Sequence, residues 1–158
     1  MSAKRDASGP GEVLALLPHR SPFLMVDRIV ERRPGLSCLA LKRVTFGDPG
    51  IRTNDSALPP GLNPFFLVEA MSQTAALAAV AEPGDRSADQ PMVGFLAAVR
   101  DFRALRRAVP GDTLEIRAEV LGRFGGLVKV KGWVEVDGEL IGEAELTLSV
   151  PREVSHGQ

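Results

Sequence analysis

The chain is poor in the residues from which many catalytic and metal centres are built. Its 158 residues include one cysteine, Cys38, and two histidines, His19 and His156. A single thiol excludes an internal disulfide and any cysteine cluster for zinc. Neither charge sign is in excess: nineteen basic residues face twenty acidic ones, for a formal net charge of -1. That removes the bulk basicity of a dedicated nucleic-acid binder. The longest uninterrupted apolar run, Ala75–Ala81, is seven residues, against the roughly 20 that a spanning helix needs. The first ten residues, MSAKRDASGP, hold no apolar signal core. With the lone cysteine, this sets the expectation of a reduced, cytoplasmic setting. No P-loop, GxGxxG, HExxH or GxSxG motif occurs, and no paired metal ligands. The sequence therefore calls for no metal and no cofactor.

What is present is ordinary globular material, 44% hydrophobic and 25% charged. The length suits one domain. Polar ends predict flexible tails at 1–10 and 152–158, the second holding His156, around a single domain over 11–151. Gly11–Leu17 reads as a short helix stopped by Pro18. Phe23–Val30 and Leu36–Thr45 read as strands joined at Pro34-Gly35. Phe46–Leu62 reads as a long irregular stretch, a kind of segment that often carries function.

Asn63–Ala81, NPFFLVEAMSQTAALAAVA, is the most informative segment. Asn63 is a good N-cap, and Pro64 suits the first helical position. Ala, Leu, Met, Glu and Gln favour helix, and Pro83-Gly84 ends it. A rod of about 27 Å follows. Its polar residues are Glu69, Ser72, Gln73 and Thr74. A helix apolar nearly all round is expected to be buried.

After a polar loop at Glu82–Pro91 the pattern switches to period two. Met92–Phe102, Thr113–Leu121, Val128–Val136 and Leu140–Val150 read as strands, with turns at Gly125-Gly126 and Asp137-Gly138. One wet face implies an antiparallel sheet. Acidic strands flank Lys129 and Lys131, which predicts cross-strand charge pairs. About six strands and one long helix give an α+β arrangement, a curved sheet wrapped around the helix. Its long edges invite pairing between subunits.

Glu69 is the leading candidate for chemistry. A carboxylate on a buried helix must be partnered or carry a raised pKa, and the latter would make it a general acid. The alternative is a structural carboxylate near a helix N-terminus. Ser72 and Gln73, at i+3 and i+4, reach the same side. Gly61 lets backbone N–H groups approach a carbonyl oxygen at the helix start, or simply forms a turn. His19 in LPHRSP is either a turn residue or a substrate contact. Asp48 and Asp55 are loop acids, usually solvated. Arg100, Arg103, Arg106 and Arg107 make a local basic patch, read either as a docking surface for an acidic or phosphorylated partner or as a solvated strand end.

Four segments together resemble a known family. LLPHRSPFLMVDRIVE at 16–31, FFLVEAMSQTAAL at 65–77, FLAAVRDFRALRRAVPGDTLEI at 95–116 and DGELIGEAELTL at 137–148 are similar to signatures of the β-hydroxyacyl-acyl carrier protein dehydratases of the hotdog fold. The likeness covers 12–150. It implies conversion of a 3-hydroxyacyl thioester to a trans-2-enoyl thioester. A histidine would remove the proton beside the thioester carbonyl. A helix carboxylate would protonate the departing hydroxyl, and backbone N–H groups at the helix start would hold the carbonyl oxygen. The two side chains would come from opposite subunits of a dimer. By this resemblance Glu69 matches the carboxylate and Gln73 the glutamine one turn on. Arg103 and Arg106 match the surface that receives the acyl carrier protein. The chain departs from the family at one point. The Gly-His-Phe-Pro-Gly histidine, fourteen residues before the glutamate, is replaced by Asp55. The resemblance therefore leaves three readings. They are a dehydratase with another base or a partner's histidine, a non-catalytic subunit paired with an active paralogue, and a thioesterase using Glu69.

Overall fold

A computed structural model describes residues 9–52, 57, 59–79 and 94–150. The expected tails other than Gly9 and Pro10, together with His156, Asp55 and the loop at 82–91, lie outside the described residues. The elements are α1 (Pro10–Leu16), β1 (Arg28–Arg33), β2 (Ser37–Arg43), β3 (Ile51–Arg52), β4 (Gly61–Leu62), α2 (Phe65–Ala79), β5 (Phe95–Ala104), β6 (Thr113–Phe124), β7 (Leu127–Val136) and β8 (Glu139–Ser149). Six strands form one antiparallel sheet in the order β1-β2-β6-β7-β8-β5. The expected α+β hotdog architecture is what the chain adopts.

Alternation builds the core. Ala40, Leu114, Ile116, Val130, Val134 and Leu146 are buried on the face that carries α2, and the opposite face holds the charges. There the expected pairs form: Lys129 meets Glu145 at 2.9 Å and Lys131 meets Glu143 at 3.0 Å. Both predicted hairpin turns have the positive φ they need, at Gly125 and Gly126 and at Asp137 and Gly138.

Asn63 Oδ1 accepts the Phe65 N–H at 3.1 Å, as the N-cap reading required. The far end of α2 is tied as firmly. Its last carbonyls accept from Arg32 (at Leu77 O), the Gly35 N–H (at Ala78 O) and Arg123 (at Ala79 O). These cations also suit the negative end of the helix.

α2 is buried as expected over 70–79, where Ala76 alone is half-buried, and opens only at its first turn, where Phe65 is 73% exposed. Three expectations need correction. Phe23–Asp27 is not strand, because Gln73 takes the hydrogen bonds of Phe23 O and Met25 N that a neighbouring strand would take. The stretch at 46–62 contains a small antiparallel ladder, Ile51–Arg52 on Gly61–Leu62. Period-two alternation predicts that Leu140 shares the buried face of Ala144, Leu146 and Leu148, but Leu140 is only half-buried and Ile141 and Gly142 are both buried, because the register with β7 slips between Val134 and Glu135.

Candidate active site

Two segments distant in sequence build the site. α2 presents Glu69 and, one turn on, Gln73. The chain between α1 and β1 crosses this face and is pinned there by the Gln73 amide. Gln73 Oε1 accepts the Met25 N–H at 2.8 Å, and Nε2 donates to Phe23 O at 2.8 Å. The same Nε2 donates to Glu69 Oε1 at 2.8 Å. Pinning this segment brings His19 over the helix, where its Nε2 lies 3.7 Å from Glu69 Oε1. Arg20 braces the turn by donating to the carbonyls of Leu14, Leu17 and His19.

His19, Glu69, Ser72 and Gln73 form the polar end of a cavity of about 170 Å³. Its other walls are apolar: Ala76, Ala79, Phe95, Leu96, Leu148 and Val150. A polar head on an apolar chamber suits a ligand with a reactive polar end and an aliphatic or aromatic remainder. The Glu69 side chain is 40% accessible in the isolated chain. The burial expected of it is thus incomplete, although the carboxylate is partnered. The Ser72 hydroxyl is spent inside the helix, donating to Val68 O at 2.7 Å.

The remaining candidates fall elsewhere. Gly61 is buried beneath the Arg107 side chain, whose Cδ would stand 2.7 Å from a Cβ there. It is not among the residues lining the cavity. The first amides of α2 are already used: Phe65 and Phe66 N–H bond to Asn63, and Leu67 N–H to Pro64 O. Asp48 is a loop anchor. It pairs with buried Lys42 at 2.7 Å and accepts the Thr45 N–H at 2.7 Å. The Cys38 thiol is buried, and desolvation pushes its pKa up to about 12, which makes it a poor nucleophile. Arg103 pairs with Glu143, whose carboxyl is held below the usual range by hydrogen bonds from Lys131 and Arg103. Arg106 is committed to Asp112 at 3.1 Å, Glu139 at 3.4 Å and Arg107 O. Arg100 is exposed and makes no ion pair among the described residues.

Sequence reasoning gave His19 no catalytic assignment. Its proximity to Glu69 arises from packing across about fifty positions. A signal was available in retrospect, since LPHRSP is one of the four resembling segments and holds the one histidine inside the domain.

Comparison with known proteins agrees with this architecture. Among solved structures, the dehydratase heterocomplex ApeI:P from Xenorhabdus doucetiae superposes with a TM-score of 0.75 at 17% identity, covering 89% of this chain and 91% of that one. A hypothetical thioesterase with coenzyme A from Streptococcus pneumoniae shares the fold at a TM-score of 0.60 and 13% identity, over 78% of this chain and 84% of that one. In sequence, the chain is 39% identical over 137 residues to the 3-hydroxyacyl-acyl-carrier-protein dehydratase FabZ of Geotalea uraniireducens, covering 85% of this chain and 91% of that protein. It is 40% identical over 141 residues to FabZ of Aromatoleum aromaticum, covering 88% and 94%. The family model of the ApeP-like dehydratases (ApeP dehydratase) matches residues 11–157. With that match spanning the whole domain, the chain belongs to the ApeP-like dehydratase family.

Proposed function

We propose that the chain is the carboxylate-bearing subunit of a 3-hydroxyacyl-carrier-protein dehydratase. A second hotdog subunit supplies the base. The observation that carries this reading is Glu69, held by Gln73 at the polar end of an otherwise apolar cavity. In the reaction, Glu69 gives its proton to the C3 hydroxyl and the C3–O bond breaks. Water leaves, and the C2–H electron pair becomes the C2=C3 double bond. The C2 proton passes to the partner's base. No oxidant, metal or cofactor is needed for that balance.

A second subunit has a place to dock. Among the described residues β5 is a sheet edge, paired with β8 on one side and unpaired on the other. Phe95, 64% exposed, together with Leu96 and Val99 makes that edge apolar. Phe95 and Leu96 also line the cavity, so a subunit seated on β5 would close the site and bring its own groups to it. The basic patch on the same strand suits an acidic carrier protein. Arg100 and Arg103 face solvent there, whereas Arg106 holds the turn at Asp112.

The test is to purify the chain alone and together with a co-expressed hotdog paralogue carrying the Gly-His-Phe-Pro histidine. Each sample receives a 3-hydroxyacyl carrier thioester. The pair should form the enoyl thioester, and Glu69→Gln should lower its turnover at least 100-fold, within the range for a general acid. Release of free acid and thiol would instead establish thioester hydrolysis. Full activity of the Glu69→Gln pair would remove the carboxylate from the mechanism.

A further inference from the structure

We propose that His19 is a positioning residue for Glu69. Its Nε2–H and the Gln73 amide N–H converge on Oε1, which leaves Oε2 to carry the transferred proton. This deepens the dehydratase reading and rests on Glu69 being the acid.

Hydrogen-bond logic supports the assignment. Met25 N–H can only donate, so the Gln73 atom facing it must be the amide oxygen. Gln73 Nε2 is thereby turned toward Glu69 and can only donate to Oε1. Two N–H donors aimed at one oxygen disfavour a hydrogen on that oxygen, so a protonated Glu69 carries its hydrogen preferentially on Oε2. His19 Nε2 approaches the same Oε1, at 3.7 Å. The other ring nitrogen, Nδ1, is buried and has no hydrogen-bond partner among the described residues. An orphaned lone pair is more easily tolerated at a buried atom than an orphaned N–H, so the favoured tautomer carries its hydrogen on Nε2, pointing at Glu69. The imidazole therefore offers the carboxyl a donor rather than offering substrate a base. The distance is longer than a formed hydrogen bond, and catalytic contacts of this kind tighten when substrate binds. His19 also lines the cavity, so an acyl group entering it would lie against the ring.

The replacements His19→Leu and His19→Gln test this in the assembled pair of subunits. Leucine removes the donor, whereas the glutamine Nε2 reaches nearly the position of the imidazole Nε2. Leucine should lower kcat roughly tenfold with KM unchanged, the loss expected for one hydrogen bond to a reacting group. Glutamine should restore most of kcat. The 13C resonance of the Glu69 carboxyl, recorded at fixed pH on the same variants, should move in the leucine form and return in the glutamine form. If glutamine is as inactive as leucine and solvent exchange at substrate C2 is lost, His19 is the base and the positioning role is overturned. If kcat, KM and melting temperature change together without rescue, the residue is merely structural. If the pair turns over no thioester yet the carboxyl resonance responds, the dehydratase reading falls and the positioning role stands. If the resonance ignores both substitutions, the positioning role falls whatever the kinetics show.

Discussion

Gln73 lies one helical turn beyond Glu69, a place from which a side chain is expected to face a ligand. Instead it is 1% exposed, and its amide holds the chain on either side of Leu24. Both of its amide hydrogens and its oxygen are engaged inside the protein, so its contribution to a ligand site is made through Glu69 and through the segment carrying His19. Gln73→Leu would keep the volume and strand Met25 N–H and Phe23 O. Each buried unpaired group costs about 1–3 kcal/mol, so the substitution should destabilise the fold by about 2–6 kcal/mol. Urea unfolding measures this directly. A loss below about 1 kcal/mol would mean that the 20–26 segment is held by Met25 and Val26 burial instead. Cys38 illustrates the opposite case, a reactive residue type made inert by its surroundings.

The seating of α2 on the sheet depends on two small residues. A Cβ at Gly132 of β7 would stand 3.1 Å from Met71 Cβ and Sδ, and one at Gly142 of β8 would stand 3.0 Å from Leu67 Cδ1. Met71 and Leu67 are fully buried and have little room to yield. Gly132→Ala should therefore lift the helix and cost about 1–3 kcal/mol by overpacking. Equilibrium unfolding tests this, and an unchanged midpoint would show that Met71 can swing aside. These elements also show where the sequence was legible. The α2 cap, the two glycine turns and the alternation of β6 and β7 are local signals, fixed by φ preferences and period. Glu69 was legible because a carboxylate interrupts an apolar helix. The alternation of β8 was legible from Ala144 onward, but the bulge at its start was not, since a register slip against β7 leaves no local trace. Nor was the end of the presumed first strand, where a helix side chain replaces a strand partner. The His19–Glu69 approach lies beyond any spacing rule, because it follows from the Gln73 staple.

Among the described residues the sheet is left open at one edge. The sheet ends at β5, whose residues are nearly all exposed even though Phe95, Leu96, Val99 and Leu105 are apolar. An exposed apolar edge is a template for pairing, and monomers usually protect one with charge, proline or a covering loop. Here the arginines at 100 and 103 sit toward one end, and the apolar half adjoins the cavity. The same end of the site leaves Glu69 partly open to solvent. One subunit seated along β5 would extend the sheet, cover this edge and dry the carboxylate together. Association and catalysis should therefore fail together when the edge is charged. Val99 lies mid-strand and is not among the residues lining the cavity, so Val99→Asp should not alter the site directly. It should shift the assembled species toward single chains by at least tenfold in dissociation constant, as read by analytical ultracentrifugation. Turnover should fall at low protein concentration and recover as concentration rises. An unchanged mass across that range would place the subunit contact elsewhere than β5, and turnover lost without dissociation would tie Val99 to the chemistry itself.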